Sequence, residues 1–406
     1  MRFNSEKIFI AEIKNSRPNK AFHSTISLKA RLSAYENADA ISVVTHSSFS
    51  GSLELLTQVR KLTQKPILAK DFIRTPQEAL ALKLAGADGI LLLKDMLTSQ
   101  ELEDLIKYCK KIDVTSFVES SFAFPDEGDF SVLNSRSLFS LQENIYNRDF
   151  IANNSRINKN KTIIASSLES SLSARLALSK NRGCIVGSAL MEENNSSKIK
   201  QFIIQSKIND ILIKVCGART VQDISSTLNF GVDFVGINII PTSRRFIGLE
   251  NLKKLIPFIE KYQEKICFIT RDDACSQCLK LISHLKSIEQ CYSSPLLPNR
   301  IMLFCSSNAS FIGTTALVLD GEQPGSGQTT SYPNNIDNLF TPTFISAGIT
   351  CDNYNEKKQE ALTKNWNIVG VDCSSSVCYD NLKTQLDSFS TDKLARFINK
   401  VKGVQV

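Results

Sequence analysis

A chain of 406 residues is too long for one compact core, and two domains of about 200 residues each are expected. Its hydrophobic content of 42% and charged content of 22% are ordinary for globular proteins, and no apolar run reaches the ~20 residues of a membrane span. The net charge of +7 comes from scattered Lys and Arg residues, which argues against a nucleic-acid partner and favours anionic small molecules. No secretory signal or regular cysteine framework is present, so a cytoplasmic chain with reduced thiols is expected.

Short β-branched segments alternate with amphipathic segments along the whole chain, a pattern that predicts parallel strand–helix units. The predicted strands of the first half are 8–13, 40–44, 66–70, 89–93, 114–119, 130–134, 162–165 and 184–187. Those of the second half are 211–216, 233–238, 265–270, 288–291, 301–305, 315–320, 343–347 and 368–372.

Eight units in each half predict an α/β fold of two tandem (β/α)8 TIM barrels. The amphipathic segment 198–206 is predicted to be the last helix of the first barrel, so the domains are expected at 1–205 and 206–406. Some intervals, such as 120–129, are too short for a full helix, and several outer helices are therefore expected to be shortened.

Five motifs follow the predicted strands of the second half. They are Ile-Lys-Val-Cys-Gly at 213–217, Pro-Thr-Ser-Arg-Arg-Phe at 241–246, Leu-Asp-Gly at 319–321 with Gly-Ser-Gly-Gln at 325–328, Ser-Ala-Gly-Ile at 346–349 and the Gly-Val-Asp segment at 370–377. In this order they resemble the phosphoribosylanthranilate isomerase family of tryptophan biosynthesis. The second motif stands where that family has Ser-Pro-Arg-Tyr.

The resemblance implies an Amadori rearrangement, in which the ribose ring opens and a proton leaves C2′. Such a reaction needs one base and one acid, which are implied to be Cys216 and Asp320. Lys214 lies two residues before the cysteine on the same strand face, towards the barrel mouth, where its charge favours the thiolate. Arg245 is implied to hold the anthranilate carboxylate. The residues implied to bind the remaining substrate and its phosphate are Gly325, Gly327, Gly348, Ser374 and Ser375.

Another ordered set of motifs occupies the first half. It consists of Ile-Ala-Glu-Ile-Lys at 10–14, segments 41–45 and 49–53, Lys-Asp-Phe-Ile at 70–73, Phe-Val-Glu at 117–119, Asn-Ser-Arg at 134–136 and segment 186–191. These motifs resemble the indole-3-glycerol phosphate synthase family, a carboxy-lyase that closes an indole ring and releases carbon dioxide and water.

The synthase resemblance implies Lys70 as the general acid and Glu119 as the general base, with Glu12 nearby. Lys14 is implied to neutralise the departing carboxylate, and Asn134 to orient the sugar hydroxyls. The residues implied to bind the phosphate are Arg136, Ser167, Gly187 and Ser188.

This half departs from its family at the seventh strand, where Glu-Ser-Gly is replaced by Ser166, Ser167 and Leu168. Losing a carboxylate that transfers protons costs ~10²–10⁴ in rate. Glu169 lies close in sequence but is predicted to fall on the following helix. Arg17 replaces a serine that contacts phosphate in the family.

Three hypotheses therefore stand. The first is a bifunctional, monomeric enzyme of tryptophan biosynthesis with an impaired synthase half. The second is an isomerase whose first barrel is a non-catalytic scaffold, and the third is a pair of decayed barrels that only bind phosphorylated metabolites. No metal or organic cofactor is implied, because both chemistries use protein acids and bases. Cys275 and Cys278 have metal-ligand spacing but lack the further ligands that a zinc site needs.

Overall fold

The computed structural model describes residues 2–17, 20–21, 25–120, 126–134, 158, 160–165, 168–292, 296–297, 302–306, 316–319, 332, 342–346, 348–378 and 389–403. The chain divides into two compact units, Met1–Asn209 and Asp210–Val406. Each unit contains a closed barrel of eight parallel strands. The predicted fold class of tandem (β/α)8 barrels is therefore confirmed.

The first barrel is built from strands that each lie within one residue of the predicted ends. They are β1 (Ile8–Ile13), β2 (Ala40–Val44), β3 (Ile67–Lys70), β4 (Gly89–Leu93), β5 (Thr115–Ser120), β6 (Phe130–Leu133), β7 (Thr162–Ile164) and β8 (Gly183–Val186). Its described helices are α1 (Leu28–Ala34), α2 (Leu53–Leu62), α3 (Pro76–Leu84), α4 (Ser99–Lys111), α5 (Ser171–Lys180), α6 (Ser188–Glu192) and α7 (Ser196–Lys207). β1 pairs with both β2 and β8, which closes the barrel.

Helix starts in this barrel follow local hydrogen-bonding chemistry. The Thr75 hydroxyl accepts a hydrogen bond from the Glu78 amide, the Glu78 carboxylate accepts one from the Thr75 amide, and Pro76 begins α3. Thr98 and Glu101 form the same reciprocal cap on α4. These caps satisfy amide groups that the first helical turn cannot pair, so each helix begins at a defined residue after its strand.

Alternating side chains divide the apolar residues of the first barrel into two cores. The outer core, between the strands and the helices, contains Phe9 and Val43. The inner core fills the barrel, where Phe3, Phe117 and Phe130 form an aromatic cluster with ring centroids 4.7–6.4 Å apart. The interior is thus packed, and a ligand can enter only above this apolar layer.

The second barrel repeats the arrangement with strands that lie within two residues of the predicted ends. They are β9 (Leu212–Cys216), β10 (Phe234–Asn238), β11 (Ile266–Thr270), β12 (Ile288–Cys291), β13 (Met302–Ser306), β14 (Ala316–Leu319), β15 (Thr343–Ile345) and β16 (Ile368–Cys373). Its described helices are α8 (Val221–Asn229), α9 (Leu249–Lys261), α10 (Ser276–Ile282), α11 (Tyr354–Thr363) and α12 (Thr391–Lys402). β9 pairs with both β10 and β16.

The described residues between β5 and β6, at 126–129, contain no helix, in keeping with the shortened helix predicted there. None of the helices in the described parts of the chain is long and apolar enough to span a membrane.

Candidate active sites

Four polar side chains gather at the carboxyl end of the first barrel. Glu12 and Glu119 lie near the ends of β1 and β5, Lys70 ends β3, and Asn134 follows β6. They share their strand faces with the inner core, because side chains two residues apart point the same way. The residues two positions earlier on these strands belong to the apolar interior: Ile10, Leu68, Phe117 and Val132.

Glu12 is the centre of a buried ion network. One oxygen of its carboxylate forms a salt bridge with the Lys14 ammonium at 3.0 Å, and the other oxygen forms one with the Lys70 ammonium at 3.1 Å. Burial by itself raises the pKa of Glu12, but the two ammonium groups outweigh it and lower the pKa to about 2. Glu12 is therefore a fixed anion at neutral pH, and it holds both lysines in place.

Glu119 lies in the same pocket in a different environment. Its side chain is buried, Asn134 donates a hydrogen bond to one oxygen at 3.0 Å, and the other oxygen has no hydrogen-bond partner among the described residues. Burial raises the pKa of Glu119, although the nearby Lys70 opposes the shift. Two carboxyl groups with opposite pKa shifts suit different roles, and Glu119, whose pKa is raised, takes up a proton more readily than Glu12.

Gly187 closes this pocket on the side of β8. A Cβ atom added there would collide with the Glu12 carboxylate and would lie 3.0 Å from the Lys14 ammonium. Ser188, the next residue, begins α6. The backbone after β8 thus lies directly against the ion network, and only glycine permits this approach.

Two supports of the pocket were not identified from the sequence. Thr45, after β2, donates a hydrogen bond of 2.6 Å to Asp71, which follows Lys70 and also accepts the Phe72 amide. The buried Tyr35 hydroxyl donates a hydrogen bond to the Glu12 carbonyl at 3.2 Å. The Asp71 contact could have been suspected from the Lys-Asp-Phe motif, whereas the Tyr35 contact has no sequence signal because it joins a helix end to β1.

The seventh-strand region is described only in part. Leu168 is buried in the outer core, where its side chain contributes to packing. Glu169 is exposed and precedes α5, which Ser170 caps, so the prediction that Glu169 falls on the helix is wrong. Ser166, together with the predicted phosphate ligands Ser167 and Arg136, lies outside the described residues.

We expect Gly187→Ala to lower by about 10²-fold the turnover of the synthase reaction that the family motifs imply for this barrel, because the added methyl group must displace Glu12 and its lysines. Steady-state assays of both half-reactions would measure this. Isomerase turnover of the same sample is the control for folding. Unchanged synthase turnover would show that the close approach at Gly187 has no catalytic consequence.

In the second barrel, a buried ion pair joins the first strand to the last. The Lys214 ammonium on β9 donates to both carboxylate oxygens of Asp372 on β16, at 2.8 and 2.9 Å. Burial by itself would lower the pKa of Lys214, but the Asp372 carboxylate outweighs it and raises this pKa above its usual range. Lys214 is completely buried, and Asp372 on the adjacent strand is its ion-pair partner.

Cys216 ends β9 two residues after this lysine and is partly buried. Gly236 is its neighbour on β10, and a Cβ atom there would lie 2.8 Å from the Cys216 sulfur. The Ser374 hydroxyl, after β16, donates a hydrogen bond of 2.7 Å to the Cys216 carbonyl. The missing side chain at Gly236 therefore leaves room for the thiol, and Ser374 holds the strand end that bears it.

Arg245 lies across the end of β9 and is buried. Gly217 has a positive φ of 111°, and a Cβ atom there would lie 2.5 Å from the Arg245 side chain. Arg245 donates a hydrogen bond of 2.8 Å to the Ser375 hydroxyl. The structure thus places Arg245, which is predicted to bind the substrate carboxylate, in contact with Ser375 of the predicted phosphate loop.

Gly348, another predicted phosphate ligand, follows β15 with a positive φ of 72°, and the Asn353 side chain donates to its carbonyl at 3.0 Å. Asp320, Gly325 and Gly327 lie outside the described residues. In the described part of the chain, no group of three His, Cys, Asp or Glu side chains could hold a metal ion.

We expect Asp372→Asn to destabilise the second barrel by about 3–5 kcal/mol, because it leaves the charged Lys214 buried without a counter-ion. Denaturant unfolding would measure the free energy. Glu356→Gln, which removes an exposed carboxylate on α11, is the matched control and should leave the unfolding midpoint unchanged. Equal midpoints for the two variants would contradict a structural role for the ion pair.

Two closed parallel barrels with titratable groups at the carboxyl ends of their strands are typical of (β/α)8-barrel enzymes. The family model of indole-3-glycerol phosphate synthase matches residues 2–202. The indole-3-glycerol phosphate synthase of Staphylococcus haemolyticus is 32% identical over 219 residues, which cover 51% of this chain and 82% of that protein. The chain belongs to the indole-3-glycerol phosphate synthase family.

Longer relatives match more than the first barrel. The tryptophan biosynthesis protein TrpCF of Vibrio parahaemolyticus is 27% identical over 61% of this chain, and the multifunctional tryptophan biosynthesis protein of Schizosaccharomyces pombe is 26% identical over 64% of it. These matches cover 52% and 38% of the two relatives, so the chain spans about half of their length or less. Phosphoribosyl anthranilate isomerase from Thermus thermophilus is 18% identical in a structural match covering 48% of this chain and all of that one, with a TM-score of 0.38.

Proposed function

We propose that the chain is a bifunctional enzyme of tryptophan biosynthesis. The second barrel isomerises N-(5-phosphoribosyl)anthranilate to the carboxyphenylamino-deoxyribulose phosphate, and the first barrel converts that product to indole-3-glycerol phosphate. Membership of the synthase family supports the first activity. The similarity to TrpCF proteins and the motifs around Cys216 support the second. The observation with most weight is the pocket in which Lys70 lies between an ionised Glu12 and a Glu119 of raised pKa.

In the proposed synthase reaction, Lys70 donates a proton to the carbonyl oxygen as the ring closes, which gives a hydroxyl group. That hydroxyl group takes up a second proton, ultimately from solvent, and leaves as water. The Lys70 ammonium group contacts the Glu12 carboxylate at 3.1 Å, which holds the proton donor in the pocket. Lys14 neutralises the substrate carboxylate that leaves as carbon dioxide. Glu119 then removes the ring proton to restore aromaticity, while Asn134 orients both Glu119 and the sugar hydroxyls.

The phosphate of this substrate is assigned to the loops after the sixth, seventh and eighth strands. Gly187 and Ser188 follow β8, and their backbone amides can face an anion there. Arg136 and Ser167 are the other proposed ligands, on the basis of the family motifs.

In the proposed isomerase reaction, Cys216 removes the C2′ proton as a thiolate and Asp320 donates a proton to the ring oxygen. Lys214 places a positive charge two residues before the thiol, although the paired Asp372 offsets much of it. Arg245 is assigned to the anthranilate carboxylate. The glycines at 325, 327 and 348, with Ser374 and Ser375, are assigned to the rest of the substrate and its phosphate.

A specific observation favours a second candidate, in which only the isomerase is active. Leu168 fills the outer core at the position where the synthase family has a phosphate-loop glycine, and Ser166 replaces the family's glutamate. In this case the first barrel would be a scaffold for the second.

The two active sites can be tested by paired substitutions. Lys70→Ala should reduce synthase turnover by about 10²–10⁴-fold and leave isomerase turnover unchanged, whereas Cys216→Ala should do the reverse. Fluorescence assays with each half-reaction's own substrate measure both. If wild-type protein has isomerase activity but no synthase activity, the isomerase-only candidate is correct, and the absence of both activities would reject both enzyme candidates. Equal losses of both activities in either variant would contradict independent sites.

The missing carboxylate gives a gain-of-function test. Ser166→Glu should raise synthase turnover at least tenfold if the lost proton-transfer group limits the reaction. Ser166→Gln is the control, because glutamine has the shape of glutamate but no charge. No gain in the glutamate variant, or an equal gain in both variants, would mean that the carboxylate does not limit turnover.

A further inference from the structure

A buried arginine connects α1 with the chain that follows β8 in the first barrel. Arg31, on α1, is 2% exposed. Its guanidinium group donates hydrogen bonds to the Leu190 carbonyl at 2.5 Å and to the Glu193 carbonyl at 3.3 Å. These carbonyls lie at the carboxyl end of α6, where backbone oxygens have no partner within the helix. Arg31 therefore holds α6 by its carboxyl end.

The same guanidinium group is connected to the first strand through Tyr35, which follows α1. Burial raises the pKa of Tyr35 to about 12, and a hydrogen bond from Arg31 opposes this shift. The Tyr35 hydroxyl is therefore protonated at neutral pH, and it donates a hydrogen bond to the Glu12 carbonyl at 3.2 Å. One buried cation thus links α6 to the strand that bears Glu12.

The amino end of α6 lies against the ion network of the pocket. Gly187 precedes α6, and its carbonyl accepts hydrogen bonds from the Leu190 and Met191 amides at 3.0 Å. A Cβ atom at Gly187 would collide with the Glu12 carboxylate, so a shift of α6 would change how this backbone meets Glu12. A helix of only five residues is held in place mainly by its contacts with the rest of the barrel.

A charged side chain at position 31 has an energetic cost. A guanidinium group removed from water loses hydration that hydrogen bonds to neutral carbonyls replace only in part. Leu32 and Ala34, the other buried residues of α1, are apolar members of the outer core, so packing alone does not call for a cation here. What Arg31 contributes is directional, because its donors join α1, α6 and Tyr35 in one fixed arrangement.

We propose that Arg31 is a positioning residue of the first active site, which fixes the backbone at Gly187 and Ser188 against Glu12. The inference rests on the proposed synthase function, in which Gly187 and Ser188 bind the substrate phosphate. Arg31 is buried and acts through α6 rather than on the substrate. Glu12 would keep its two lysines without Arg31, so its loss should weaken phosphate binding and leave the proton transfers nearly unchanged.

The test is Arg31→Met in the full chain, because methionine keeps an unbranched side chain but has no hydrogen-bond donor. The KM of the synthase and its inhibition constant for inorganic phosphate should each rise about tenfold, since the phosphate-binding backbone is less ordered before the substrate binds. The kcat should fall by less than about threefold. Arg31→Lys should recover part of the loss, because an ammonium group can still donate to one of the carbonyls.

Arg60→Met is the matched control, since Arg60 on α2 also donates to backbone carbonyls, those of Thr63 and Lys65. Its carboxylate partner Asp88 precedes β4, at the end of the barrel opposite to the pocket. This variant should lower the free energy of unfolding and leave both constants unchanged. An equal rise of KM in Arg60→Met would attribute the effect to general loosening of the barrel and overturn the proposal. Unchanged constants in Arg31→Met, or a loss confined to kcat, would also overturn it.

Hydrogen exchange followed by mass spectrometry separates this inference from the proposed function. If the wild-type chain has no synthase activity, faster exchange of the α6 amides in Arg31→Met, and not in Arg60→Met, still supports the positioning of α6. Exchange in α6 that equals the wild-type rate would reject it, whether or not the synthase is active. If Arg31→Met does not fold, Arg31→Lys should show smaller changes in the same direction, and unchanged constants and exchange in that variant would overturn the proposal.

Discussion

Charge inside a closed barrel must be paired inside it, and both candidate sites follow from this constraint. A parallel barrel offers no edge at which a charged side chain could reach water, apart from the ends of its strands. Glu12 and Lys214 are almost completely removed from solvent, and each is paired with an opposite charge on another strand. The pairs cost desolvation energy, so their value lies in positioning charged groups rather than in net stability.

The two barrels use this constraint in different ways. In the first, one carboxylate is shared by two lysines at the mouth, which leaves Glu12 ionised and places Lys70 between it and Glu119. In the second, a single buried lysine is paired with a single buried carboxylate. The first arrangement retains groups that can exchange protons with a ligand. In the second, the Lys214–Asp372 ion pair supports the strand end where Cys216 lies. The pair itself is not assigned a proton transfer.

The strands could be predicted from the sequence because their pattern is local. Buried β-branched runs between amphipathic segments define each strand within one or two residues, and the motif order indicates both barrels. The ion pair of Lys214 and Asp372 was not predicted, since it depends on how the first and last strands align when the barrel closes. The position of Glu169 was predicted wrongly because Ser170, and not an earlier residue, caps the helix.

The same charge accounting bears on the missing carboxylate of the first barrel. Glu12 is held ionised between two lysines, whereas burial raises the pKa of Glu119 and Lys70 opposes that shift. The sequence has serine at position 166, where the synthase family has glutamate, so the chain lacks the family's carboxylate there. A carboxylate with a raised pKa takes up a proton more readily than one with a lowered pKa. The described pocket therefore favours Glu119 for the proposed proton removal and leaves Glu12 to hold the two lysines.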